Sequence, residues 1–546
     1  MSYAARRVHT AFLAAVCLSL LVAPRASGQP SDAVRNAIRI HVENIRAGEP
    51  VTIAGASIAS QEILPSLYET RGFQPAWSDQ QNRADLLQAI DGVSLDGLDP
   101  REYHRAELDA LLHSADTSPQ AVANLDVLLT DALVRLGYHL IVGRVDPVSL
   151  DSNWNLTGDF EGFDAVKVID DALSSRGLAE VIDHYKPSHP LYLGLKQALA
   201  DYRDLAMRGG WDSVPKIGKP EVGDSNPGIP ALRRRLAVTG ELPPGASLDS
   251  SAFDGELQAA VKRFQVLHGL NADGVIGPRT LAAMNVPIEV RIDQMRVNLE
   301  RGRWILRNLG DDFVAVNIAA FRMYVVKDGE PTWTSRVVVG KLQHNSPVFK
   351  DDMEYVVFNP TWTVPSSITR SEFLPHLRKD PEYLASQHMV LLDTSGHVVD
   401  PSSVDLSPDA GFPYVIRQEP GPWNALGQVK FMFPNAHNVY LHDTPSRALF
   451  EKDVRAFSHG CIRVENPLDL AEVLLADQDG WDRAAIDATV AAGTTVTVYL
   501  DERIPVLILY WTAWVNPDGE LKFYDDVYDR DGAILEAMGT GYGGAS

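Results

Sequence analysis

Residues 456–467 read AFSHGCIRVENP and hold Cys461, one of only two cysteines in 546 residues. A thiol attacks only as the thiolate, and a free cysteine with a pKa of about 8.5 is mostly protonated at neutral pH. A nucleophilic role therefore asks for a base, room for a carbonyl to approach, and N–H donors for the developing oxyanion. The chain offers each of these near Cys461. His442, in YLHDTP, lies 19 positions upstream at the end of a predicted strand, and His459 lies two positions before the thiol. Gly460 removes side-chain bulk beside the sulfur, so that its amide and that of Cys461 can turn inward. Arg463 adds a fixed charge, suited either to a substrate carboxylate or to a neighbouring acid that stiffens the loop.

Two other readings use the same side chains. Cys461, His459 and His442 are ligand types for zinc. Their spacing is poor for a closed structural site, however, and a missing fourth ligand would demand a catalytic metal. The alternative is a buried, inert thiol beside two satisfied histidines. Two histidines spaced around one cysteine favour nucleophilic chemistry, with no metal.

The first 28 residues have a short basic start (Arg6, Arg7), an apolar run from Ala11 to Ala23, and small residues at Ala26–Gly28. This pattern predicts a cleaved secretory signal peptide, because the apolar run is shorter than the roughly 20 residues that span a bilayer. Cys17 follows Val16 and not a small residue, which argues against lipid modification. No other stretch is apolar enough to cross a membrane, so no integral membrane segment is expected in the mature chain. Cleavage would leave Cys461 without a disulfide partner in an oxidising compartment. It would also shift the net charge from −23 to about −26. So acidic a surface argues against nucleic acid or anionic lipid as the main partner.

Around this chemistry the sequence divides into positioning elements. Residues 30–217 read as a helical scaffold. Leu125, Leu128, Leu129, Ala132, Leu133 and Leu136 form one apolar stripe, and Leu191, Leu195, Leu199 and Tyr202 another, stopped at Gly209–Gly210. Asp131 and Asp201 read as solvated helix faces. The Pro/Gly-rich stretch 218–230 marks a boundary. Residues 224–288 then predict three short helices, with Gly269 as a left-handed cap, an Asp273–Gly274 turn and Pro278 opening the third. A linking helix follows over 289–310, with Ile292, Met295, Val297, Leu299 and Trp304 as packing residues. Residues 311–502 alternate and are β-branched, a mostly β unit, interrupted over 366–424 by an insertion long enough to be a lid. Residues 503–546 predict a C-terminal β-hairpin and tail, turning at Asn516–Gly519.

FQVLHGLNADGVIGPRTLAAMN closely resembles the three-helix peptidoglycan-binding module of cell-wall enzymes. HDTP…SHGCIRVENP resembles the signature of YkuD-type L,D-transpeptidases: a His, about fifteen residues, then Ser/Thr-His-Gly-Cys. Fifteen residues separate His442 from Ser458 here. The likeness extends over VNIAAFRMYVV, NPTWTVPSSI, PGPWNALGQVKFMFPN and YETRGFQPAW, and points to the large, multi-domain murein branch. Many family members carry Asn two residues after the cysteine; this chain has Arg463, as the large branch does. The implied fold is multi-domain α+β: a helical scaffold, the three-helix module and a mostly β catalytic domain with an inserted lid.

The resemblance implies a stem peptide of peptidoglycan as substrate, with Cys461 as nucleophile and His442 as base. The backbone carbonyl of Asp443 would orient His442, and the Asp443 side chain would be a turn residue. By the same resemblance His459 supports the site or contacts substrate, and Ser458 holds the loop. Tyr440, Trp423 and Asn424 border the cleft, Trp423 within the lid. The resemblance also implies export to the periplasm, contact with stem peptides and glycan, sensitivity to carbapenem-type inhibitors, and no metal or organic cofactor. An L,D-carboxypeptidase, a non-catalytic peptidoglycan-binding protein and an enzyme that attaches a protein to the wall share these features.

Overall fold

The computed structural model describes residues 32–151, 154, 164–175, 177–407 and 411–539. The expected signal peptide and Cys17 lie outside the described residues. Among those described, no helix is long and apolar enough to cross a membrane. The apolar side chains gather into four cores, one each for the N-terminal helices, the three-helix module, the insertion and the β unit.

In the N-terminal unit the predicted leucine stripe lies on helix Pro119–Ile141, opened by a Ser118 cap and Pro119. Its Leu128, Leu129, Ala132 and Leu136 are fully buried. A short ribbon, β1 (Thr52–Ile53) with β2 (Ala56–Ser57), packs beside it. The expectation that Asp131 lies on a solvated face is overturned. Asp131 is fully buried: one oxygen accepts the amides of Ala59 and Ser60, and the other meets His104 Nε2 at 2.7 Å. A buried carboxylate is tolerated when every lone pair is matched. Asp201 is exposed, as expected.

Helix Pro190–Met207 ends where predicted, at Gly209 and Gly210 with positive φ. It does not belong to the scaffold core, however. Tyr192, Leu195 and Leu199 are buried in the core of the β unit. The three-helix module forms as expected: Ile229–Val238, Gly255–Leu267 and Pro278–Met284 close on Leu232, Leu257, Val261, Phe264 and Met284. Gln265 ties down its Asp273–Gly274 turn, donating to Asp273 Oδ1 and accepting from the Gly274 amide.

The linking helix, Ile288–Ile305, is buried on nearly all sides, and the five predicted packing residues are in its core. It also buries charge. Arg303 and Glu300 are fully buried and paired at 2.5 Å. Arg303 also donates to the Asp96 carbonyl and the Tyr192 hydroxyl, and Glu300 accepts the Val145 amide. These bonds join helix, scaffold and β unit at one point.

The β unit is a nine-stranded sheet of β3 (Phe313–Asn317), β4 (Arg322–Lys327), β5 (Glu330–Gly340), β6 (Phe349–Phe358), β11 (Val429–Met432), β12 (Leu441–His442), β13 (Ala456–Ser458), β14 (Ile462–Val464) and β15 (Val496–Leu509). In space the order is β13-β5-β14-β12-β11-β6-β15-β3-β4, and β4 pairs back onto β5 and closes the sheet. Such closure leaves few unpaired edges. The Asp328–Gly329 turn between β4 and β5 has positive φ at both residues, as a tight hairpin needs.

A separate four-stranded sheet joins β7 (Trp362–Thr363), just ahead of the insertion, to β10 (Val415–Gln418), β8 (Met389–Leu392) and β9 (Val398–Val399) within it, in the order β7-β10-β8-β9. The proposed boundary at 502 falls inside β15, whose second half pairs with β3. The tail hairpin itself forms, as β16 (Ala513–Val515) and β17 (Leu521–Phe523), and its Val515 packs against Gly194.

Candidate active site

The candidate side chains centre on β12, β14 and the loops that lead into them. β12 and β14 run parallel, with Leu441 opposite Ile462 and His442 opposite Arg463. Leu441 and Ile462 are fully buried in the core. Strand alternation therefore turns Tyr440, His442, Cys461 and Arg463 to the other face together. The Ile462 amide bonds the Tyr440 carbonyl, which places Cys461 beside Tyr440. Nineteen positions of sequence thus become one strand spacing.

His442 is buried, and its Nδ1 donates to the Asp443 carbonyl at 2.5 Å. That bond fixes the ring and leaves the Nε2 lone pair free to accept a proton. Burial pushes His442 down to about 3, with the charges of Arg463 and Lys430 adding to the effect and the Asp443 carbonyl opposing it. Burial also pushes the Cys461 thiol up, against the pull of the Tyr440 amide and hydroxyl and of Arg463. The resting pair is consequently thiol and neutral imidazole, not an ion pair. The thiol lies 3.7 Å from the Asn438 carbonyl, and among the described residues no hydrogen bond links it to His442.

The Asp443 carboxylate accepts the Gln428 and Thr444 amides and pairs with Arg447 at 2.6 Å, so it pins the turn after β12. Gly427, at φ +61°, lies against that carboxylate, and a Cβ there would fall onto it. Gly427→Ala is expected to destabilise the β unit by about 2–4 kcal/mol, from left-handed strain plus overpacking. Thermal denaturation checks this; an unchanged transition would remove Asp443 from the list of turn anchors.

The loop before Cys461 is held from below. Ser458 Oγ donates to the Cys461 carbonyl at 2.5 Å and accepts the Gly460 amide at 3.1 Å. One of the two amides expected to face an oxyanion is therefore already engaged, leaving that of Cys461. Gly460 has φ +119°, a conformation that favours glycine. Its carbonyl accepts from Ser346 Oγ, and Ser346 lies against Tyr528 of the tail, whose hydroxyl donates to the Gly340 carbonyl. Sequence reading missed Ser346 and Tyr528, because nothing local to either signals contact with position 460.

Of the remaining expected residues, His459 turns to the insertion: its Nε2 meets Glu372 there at 2.7 Å, and Lys341 at 3.3 Å. Tyr440 is tilted against His442, ring centroids 5.6 Å apart. Trp423 is half exposed and stacks on His388 of the insertion at 3.9 Å. Asn424 is fully buried, and its amide is spent on the carbonyls of Pro360, Gln418 and Glu419. Arg463 makes no ion pair among the described residues, and its Nε is buried without a partner. A further cation, Lys430, missed from sequence, sits on β11 directly opposite His442.

Three family models match stretches of this chain. Residues 311–498 match the model of the L,D-transpeptidase catalytic domain, YkuD. Residues 62–199 match a scaffold domain, and 225–284 a model described provisionally as a peptidoglycan binding domain. A Haemophilus influenzae protein, named provisionally as an L,D-transpeptidase, is 37% identical over 222 residues. That match covers 40% of this chain and 45% of the relative, so the chain spans under half the length of the curated protein it resembles. Among solved structures, an L,D-transpeptidase of Xylanimonas cellulosilytica aligns at 15% identity over 54% of this chain and 99% of its own, with a TM-score of 0.18. One from Mycobacterium smegmatis aligns at 13% over 36% and 58%, with a TM-score of 0.17. At such scores the superpositions add nothing to the sequence match. The β unit around Cys461 and His442 thus matches the YkuD-type L,D-transpeptidase catalytic domain, on one chain with matches to a scaffold domain and to a peptidoglycan-binding domain model.

Proposed function

We propose that this protein is an exported murein L,D-transpeptidase that acts in the periplasm through an acyl-enzyme on Cys461. The observation that carries the reading is the placement of Tyr440, His442, Cys461 and Arg463 on one face of two adjacent parallel strands, with the imidazole tautomer set by a carbonyl. His442 Nε2 takes the thiol proton as Sγ attacks the carbonyl of the diamino acid that precedes a terminal D-alanine. The tetrahedral intermediate collapses as the C–N bond breaks, and the imidazolium returns the proton to the departing D-alanine amine. The resulting thioester is then attacked by an amine of a second stem. That amine loses a proton to His442, and the thiol is regenerated as the diamino acid cross-link forms. The Cys461 amide is the oxyanion donor, and Ser458 and Ser346 hold the loop that presents it.

Mass analysis of purified tetrapeptide stems tests this reading. The expected result is free D-alanine and a cross-linked dimer from the wild type, neither from Cys461→Ala, and a stoichiometric carbapenem adduct lost in the same variant. Tripeptide without dimer would identify water as the acceptor and make the protein an L,D-carboxypeptidase. An adduct retained in Cys461→Ala would refute the assignment of the nucleophile.

A further inference from the structure

We infer that Lys430 and Arg463, on either side of His442, form a two-cation seat for the carboxylate of the donor's departing C-terminal amino acid. The inference rests on the transpeptidase reading and deepens it. The register puts five residues of four neighbouring strands and β5 in one cross-sheet row: Val357, Lys430, His442, Arg463 and Val338. Residues directly opposite in neighbouring strands share a face and lie about 5 Å apart at Cβ. The two cations therefore flank the base, with Val338 beyond one and Val357, then Thr497 of β15, beyond the other, and no acid in the row.

Neither cation is neutralised by the protein. Among the described residues Lys430 makes no hydrogen bond or ion pair; its Nζ lies 5.8 Å from the Tyr440 ring centre. The buried Arg463 Nε has no partner either. The nearby acids are each committed elsewhere: Asp443 to Arg447, Glu372 to His459, and Glu465 to Arg336. In a chain with 72 acidic and 49 basic residues, two unpaired cations turned to one face stand out. Part-buried charges are costly without a counter-ion, so the ligand is expected to bring one.

Chemistry selects which carboxylate. Arg463 is two residues from Cys461 along an extended strand, about 6.5 Å between Cα atoms. In a donor that ends in a free α-amino acid, only three bonds separate the attacked carbonyl carbon from the terminal carboxylate carbon. With the attacked carbon at Sγ, that carboxylate falls beside His442, between the two cations. Burial holds Lys430 and Arg463 below their ordinary values, as expected of cations awaiting an anion. Once seated, the anion would offset the positive field on His442 and strengthen the base in the complex.

The test uses the full chain and two tetrapeptide donors, one ending in the free acid and one in the carboxamide. Wild type is expected to prefer the acid by about 10- to 100-fold in kcat/KM, the worth of hydrogen bonds to a charged group. Lys430→Met should cut that preference at least several-fold, and Lys430→Arg should restore most of it. Lys430→Gln replaces the Met variant if the latter does not fold. A preference unchanged in Lys430→Met, or equal loss on both donors, would overturn the seat. Wild type that releases the terminal residue from both donors without preference overturns this inference alone. Wild type that releases it from neither overturns the transpeptidase reading as well.

Discussion

His442→Gln is expected to slow acylation of Cys461 by about 10²- to 10⁴-fold, the usual worth of a positioned base. Two features of the resting site put the effect toward the upper end. Burial holds the thiol above its ordinary value, so spontaneous thiolate is scarce near neutral pH. The imidazole, which burial pushes down to about 3, is neutral at rest with its Nε2 lone pair free. Glutamine can replace the ring's donation to the Asp443 carbonyl but cannot take a proton. The carbapenem acylation rate, followed by intact mass, measures the loss. The same electrostatics fix the sign of a pH experiment. Alkylation of Cys461 by neutral iodoacetamide should climb steadily with pH, its midpoint above that of a free thiol, with no plateau between pH 4 and 7. A plateau there would mean that a thiolate–imidazolium pair already exists at rest, and the His442→Gln effect would shrink accordingly.

Removing the carboxylate from the linking helix should have the largest effect on stability. Glu300→Ala leaves the fully buried Arg303 guanidinium without its counter-ion and the Val145 amide without its acceptor. Breaking one side of a buried pair costs about 3–5 kcal/mol, because the remaining charge stays in a poorly solvated place. The cost should fall on the junction, since the same cluster holds Asp96 of the scaffold and Tyr192 against the helix. Hydrogen exchange should therefore quicken along Ile288–Ile305 and Pro190–Met207 before the three-helix module changes. The double variant Glu300→Leu/Arg303→Met, which buries no charge, should recover much of the loss. If Glu300→Ala matched wild type in exchange and thermal transition, the pair would have no role in holding the domains together.

The three-helix module was legible almost residue by residue. Its signals are local: caps, a Gly-containing turn and a proline at a helix start act within a few positions. The linking helix was legible for the same reason. Cys461 and His442 could be singled out because their residue types and the fifteen-residue spacer are read along the chain. What failed was whatever depends on partners far away in sequence. Asp131 looked like a solvated acid because its amide partners and His104 are 27 to 72 positions distant. Helix Pro190–Met207 changed cores because its neighbours, Val515 against Gly194 and Gly302 against Tyr192, lie far away in sequence.

Lys430 shows the same limit within the site itself. It is an ordinary lysine in VKFMF until the β11–β12 register sets it opposite His442. Sequence determined which groups could react and the local turns that carry them. The fold decided which of them meet and in what protonation state, because burial and cross-strand register are properties of the assembled sheet, not of any one segment.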